Sequence, residues 1–442
     1  MHKNLNIKKV LIFGIILLST FAYWRLSNSF FFSDEWPWMV ALLHPTVILF
    51  FKAYNTHIMP VYLFVYFLEL KIFGVQNNYY QYLSLLIYAG GVYAAYKTMR
   101  FGINNSNEQN SRPMNYIYLA AALFIIANPI NSDLLSLSLT IDETLLIFFQ
   151  ACAVLFFLKY TRTGGTSNLL LFLAFLILQN YSFGNGIFFP LIFIVYALLF
   201  RTPAKARLII IGSAAFAGMF MIQVLWGLIG DSGHVTVFNH LPVIIKVFFL
   251  FMDINICRSL FIYDFFHSKL KIACFLLLTA VIFIGYKNKS SDKKLVTLYS
   301  AWFFASSISV PLGRYQTGIE GEFVPYYYSV LGFMPLVLLL VEVFYYRLLA
   351  IMNRNAAILA GAFLLLIISF FFIDQKREKP ISAANVQNEI AMKNAVADNK
   401  VYYGINDPFC SETGYGRDTA LRHVKDAYQY WGSHALLKAS GN

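Results

Sequence analysis

Apolar runs of helix-spanning length recur along this chain from one end to the other, separated by short connectors that carry Lys and Arg. No soluble core accommodates so many of them. In hydrocarbon each backbone segment must satisfy its own hydrogen bonds, and an α-helix does so within the segment. The candidate spans are residues 10–24, 80–96, 116–127, 144–158, 169–178, 187–200, 208–229, 272–286, 295–310, 326–343 and 356–373, several of them short enough to extend into their flanks. Composition agrees. Only 13% of residues are charged, roughly half of what a soluble domain carries, and the mean hydropathy is +0.60. The expected fold class is an all-α polytopic membrane protein. Residues 2–9 are basic, but no small-residue cleavage site follows 10–24, so this first run reads as a retained anchor.

The net charge of +12 comes mainly from the connectors, which points to membrane orientation and not to nucleic acid. Lys3, Lys8 and Lys9 lead in. They are followed by Lys97, Arg100 and Arg112, by Lys159 and Arg162, by Arg201, Lys205 and Arg207, by Lys287, Lys289, Lys293 and Lys294, and by Arg347 and Arg354. All of these lie on the cytoplasmic side only if two apolar stretches do not cross. One is 36–74, with Lys52, His57, Glu69 and Lys71, read as an amphipathic segment in the interface. The other is 241–266, with Lys246, Asp253, Arg258 and Asp264. That gives about eleven spans and puts the polar tail 374–442 outside; within the tail, 418–431 has helical periodicity through Leu421, Val424, Tyr428 and Trp431. Residues 1–373 then form the membrane domain, with 27–79 as its first outer loop.

This orientation segregates the acids. Asp34, Glu35, Asp133, Asp142, Glu143, Asp231, Glu320 and Glu322 fall on the outer side, while the inner connectors hold few, such as Glu108 and Asp292. The four cysteines form no C-x-x-C spacing: Cys152, Cys257 and Cys274 lie in or beside apolar runs and Cys410 is in the tail. No internal repeat of the kind common in transporters is evident.

Several short motifs stand in order. The first outer loop opens F-F-F-S-D-E-W-P-W over 30–38 and continues N-T-H-I-M-P over 55–60, to I-F-G ending at Gly74; then come D-E at Asp142 and Glu143, S-F-G-N-G over 182–186 and G-R-Y over 313–315. In this order and placement they resemble the GT-C superfamily of membrane glycosyltransferases. They are most similar to bacterial members that decorate surface polysaccharide, including O-antigen glucosyltransferases of the serotype-converting type. The resemblance covers most of the membrane part and not the tail. It implies a sugar linked to polyprenyl phosphate as donor, a surface polysaccharide as acceptor, and a first outer loop with two juxtamembrane helices. It also implies a base from the first outer loop, which falls on Asp34 or Glu35, and a second acid, which falls on Asp142 or Glu143. Metal-dependent relatives use acidic ligands at characteristic spacing. No D-x-D occurs in the outer loops here, so no cofactor is predicted and no metal ligand is assigned.

Glycosyl transfer from a lipid phosphate requires a base for the acceptor hydroxyl and a cation for the departing phosphate. Asp34 fits the base; successive helical positions point about 100° apart, so Glu35 has a separate task. Carboxylates at a helix start are also favoured by its dipole and by capping, which accounts for Asp142 and Glu143 equally well. Arg314, with Tyr315 beside it, suits a phosphate because its planar fork donates two parallel hydrogen bonds; a headgroup contact suits it too. His57 and Asn55 are positioned for a sugar or phosphate, or for holding their own loop. Asn185, in a glycine turn, is a candidate for sugar hydroxyls. Two other classes stay open: a transporter or flippase of lipid-linked glycans, which would carry charges deep within its spans, and a polymerase or ligase, which would carry a large late outer loop.

Overall fold

The computed structural model describes residues 39, 41–51, 58–74, 77–103, 117–118, 120–122, 124–126, 141–200, 205–221, 241–253, 256, 271–288, 291–314 and 331–344. Among these, all regular structure is helical and no strand occurs. After a single turn at Val47–Phe50 come α1 (Pro60–Phe73), α2 (Asn77–Ile103), α3 (Ile141–Thr163), α4 (Thr166–Ser182), a 3₁₀ turn (Gly184–Phe188), α5 (Phe189–Leu199), α6 (Lys205–Phe220), α7 (Leu241–Asp253), α8 (Lys271–Lys287), α9 (Lys293–Arg314) and α10 (Leu331–Phe344). The helical spacing read from the sequence therefore reappears in α2 to α6 and α8 to α10, with boundaries a few residues wider or narrower. Among the described helices, α3 has both the length and the apolarity to cross a membrane.

Local chemistry explains the boundaries. Pro60 opens α1, where its fixed φ suits a helix start and its missing N–H costs no bond. Between α3 and α4 the chain reverses within two residues. Gly164 takes φ +68°, a conformation only glycine adopts without strain, and its N–H closes on the Tyr160 carbonyl at 2.8 Å. The Asn168 amide donates back to Thr163 Oγ1 at 3.0 Å, locking the hairpin. Asp292 caps α9, its Oδ1 accepting from the Lys294 N–H at 2.9 Å.

The core is dominated by α3, packed against α2 and α4 along its length and buried at most positions. Phe157 lies 5.5 Å from Phe172, 4.6 Å from Phe193 and 4.9 Å from Tyr196, joining α3, α4 and α5 through offset and edge contacts. Trp302 of α9 meets Phe189 of α5 at 5.9 Å.

Buried polar side chains and exposed large apolar ones both occur in this body. Gln150, Gln179, Asn180, Ser182, Ser307 and Glu69 are buried, while Ile210 is 67% exposed, Leu199 61% and Phe283 60%. The 36–74 stretch departs from the amphipathic reading in the same sense. In α1 the inward face carries Tyr62, Tyr66, Glu69 and Leu70, and the exposed face carries Phe64 and Leu68. The acid turns inward because the helix's surroundings, not a polar outer stripe, set its orientation. In α7, Ile244, Val247 and Phe251 face the body, while Lys246 and Ile245 are exposed.

The basic connectors converge on one end of the bundle. The Arg162 guanidinium donates to the Phe101 carbonyl and stacks on that residue's ring, and Arg207 donates to the Tyr160 hydroxyl at 3.2 Å. The turn between α8 and α9 meets the end of α10, where Glu342 Oε1 accepts the Asp292 N–H at 2.8 Å and Asn288 Nδ2 donates to the Val343 carbonyl at 3.4 Å.

Candidate functional site

The opposite end of the bundle holds Asp142 and Glu143. Asp142 and Glu143 lie in the first turn of α3 and are 7% and 1% exposed. Asp142 Oδ1 accepts the Glu143 N–H at 2.8 Å, and Thr144 Oγ1 donates to the Ile141 carbonyl at 2.8 Å. One carboxylate therefore occupies a first-turn donor, one residue on and not the two or three of a cap, and both are taken out of water, which a helix-start role alone does not require.

A buried polar chain fixes the levels of the surrounding elements. Trp302 Nε1 of α9 donates to Gln150 Oε1 of α3 at 2.8 Å; Gln150 Nε2 donates to Gln179 Oε1 of α4 at 3.4 Å; Gln179 Nε2 donates to the Gly186 carbonyl at 3.0 Å. The 3₁₀ turn thus sits level with Gln150. Asp142 stands eight residues above that level, about 12 Å of helix rise. The backbone of Arg314 ends α9 twelve residues beyond Trp302, about 18 Å along the same direction, away from the basic end. Helix rise thus carries the α9 terminus and the start of α3 to one end of the bundle, with the turn bearing Asn185 about 12 Å below the start of α3. The remaining site candidates, Asp34, Glu35, Asn55, His57 and Tyr315, lie outside the described residues, as do the runs 10–24 and 356–373 and the tail 374–442.

Gly186 is required by this arrangement. A Cβ there would fall 2.2 Å from Gln179 Oε1, so only a glycine lets the amide reach over the turn. Sequence reasoning passed over Gln150, Gln179 and Trp302. The signal was present: an amide inside I-F-F-Q-A-C and a Q-N pair just before S-F-G-N-G are costly in an apolar run unless bonded. Glu342 was likewise absorbed into the apolar stretch 326–343. Among the described residues no group of three or more His, Cys, Asp or Glu is gathered to hold a metal ion.

Among the described residues, fold and site define an all-helical bundle, basic at one end and with Asp142 and Glu143 buried at the other. No family model matches the chain, and no curated protein or solved structure matches it.

Proposed function

We propose that this chain is a polytopic glycosyltransferase of the GT-C type in the bacterial inner membrane, with about eleven spans and its tail outside. It moves a hexose, glucose in the first instance, from a polyprenyl phosphate to a surface polysaccharide such as O-antigen at the periplasmic face. The observation that carries this reading is the burial of Asp142 and Glu143 at the end of the bundle remote from its basic connectors. Basic connectors on one side match cytoplasmic retention of Lys and Arg, which makes the carboxylate end periplasmic. The apolar exterior supports embedding in lipid.

In the reaction a carboxylate takes the proton of the acceptor hydroxyl. The acceptor oxygen bonds to the anomeric carbon as its bond to the phosphate oxygen breaks, and the lipid phosphate leaves with that electron pair. Asp34 is the base in this scheme, with Glu35, Asp142 and Glu143 as its alternates. Arg314 and Tyr315 receive the phosphate, and Asn185, His57 and Asn55 contact sugar or phosphate.

The test is linkage and mass analysis of host surface glycan, with wild-type protein and with Asp34→Asn at matched membrane level. A hexose added by wild type and lost in the variant supports both transfer and base. A hexose kept by the variant moves the base to Glu35, Asp142 or Glu143. A second reading, a transporter or flippase of lipid-linked glycan, draws on the buried Glu69, Gln150, Gln179 and Asn180 within the bundle. An unchanged glycan with both proteins, where donor and acceptor are present, favours it.

A further inference from the structure

The polar chain Trp302–Gln150–Gln179–Gly186 crosses three helices to end on one backbone carbonyl, and that carbonyl belongs to the residue after Asn185. Every link donates in the same direction, from the indole N–H through two amides to the turn. The two amides and the indole are at most 3% exposed, so water offers no substitute partner. The turn's own bonds include the Gly186 N–H to the Phe183 carbonyl at 3.1 Å and the Phe189 N–H to the Gly186 carbonyl, and Gln179 adds a side-chain donor to that same carbonyl. A five-residue 3₁₀ segment is intrinsically weak, so an external anchor decides where it sits.

We propose that Gln179 is a positioning residue for the Gly184–Phe188 turn, held in register by Gln150 and Trp302, and that by holding the backbone at Asn185 it contributes to binding of the donor sugar. The second half rests on the transferase reading above. The first half does not.

Hydrogen exchange on the full-length protein in lipid nanodiscs tests the placement. Gln179→Leu keeps the volume and removes both amide contacts. Exchange at the amides of 183–188 should rise about tenfold, the worth of one buried hydrogen bond, with peptides from α3 and α5 changed less than about twofold. No change in the turn, or an equal rise across α3 and α5, overturns the proposal. Should Gln179→Leu fail to accumulate, Trp302→Phe decides: it keeps a ring against Phe189 but loses the donor, and it must speed exchange in the same turn.

The second readout is transfer kinetics with polyprenyl phosphoglucose as the varied substrate. Gln179→Leu should raise KM about tenfold with kcat changed less than about threefold, since sugar placement is lost while the reacting groups remain. An unchanged KM overturns the role toward the sugar. Absence of transfer by the wild-type protein overturns the transferase reading itself, and exchange alone then decides whether Gln179 positions the turn.

Discussion

Gly186→Ala isolates a single contact. The added Cβ would lie 2.2 Å from Gln179 Oε1, 2.8 Å from its Cδ and 3.0 Å from its Nε2, and these are the three nearest atoms. Sterically the clash is cheap, because the end of a glutamine swings away easily. Chemically it is not, because Gln179 is fully buried and has nowhere to take its amide. Swinging away breaks the 3.0 Å bond to the Gly186 carbonyl and the 3.4 Å bond from Gln150. Leaving such groups unsatisfied costs about 1–3 kcal/mol, against which alanine's smaller unfolded-state entropy returns about 0.4–1 kcal/mol. Taking mid-range values of about 2 and about 0.7 kcal/mol, the net expectation is a destabilisation of about 1.3 kcal/mol, read from denaturant unfolding of the purified protein in mixed micelles. Since the obstructing atoms all belong to Gln179, the same substitution in a Gln179→Ala background should cost less than about 0.5 kcal/mol. An equal cost in both backgrounds would refute the contact as the cause and with it the reasoning for why glycine stands there.

Three further outcomes are expected. Gly91→Leu should destabilise by about 1–3 kcal/mol in the same assay, because a Cβ at Gly91 already falls 3.1 Å from the Phe148 Cα, and backbone does not swing aside as Gln179 does. Glu342→Ala should cost about 1–2 kcal/mol by removing the acceptor of the Asp292 N–H, whereas Glu342→Gln, which retains a carbonyl oxygen, should stay within about 0.5 kcal/mol of wild type. Of the near-isosteric pair Asp142→Asn and Glu143→Gln, one should lower hexose addition to the glycan by about 100-fold or more at matched membrane level; full activity in both would remove these residues from the chemistry.

What the sequence made legible was whatever rests on periodicity and on charge. Helices α3 and α4 announce themselves because a long apolar stretch leaves the backbone one economical way to bond, and the reversal at Gly164 follows from a Gly-Gly pair between them. The convergence of Arg162, Arg207 and Asp292 at one end could be anticipated from connector charge, which depends only on chain order. The inward turn of Glu69 could not, because the side an apolar helix presents is chosen by its neighbours and α1 has apolar residues all round. The Gln150–Gln179–Trp302 chain was hidden for a related reason. Its members are separated by 29 and 152 positions, and no local pattern reports a bond between residues so far apart.

Those separations also order the protein's assembly in time. Gln150, Gln179 and Gly186 leave the ribosome close together, within one hairpin and the turn after it, so their bonds are available as soon as α3 and α4 pair. The indole that completes the series arrives far later, with α9. Until then the carbonyl oxygen of Gln150 faces the nascent bundle without its final donor. A chain truncated before Trp302 carries that deficit permanently, so the last third of the sequence finishes a polar joint that the first half began.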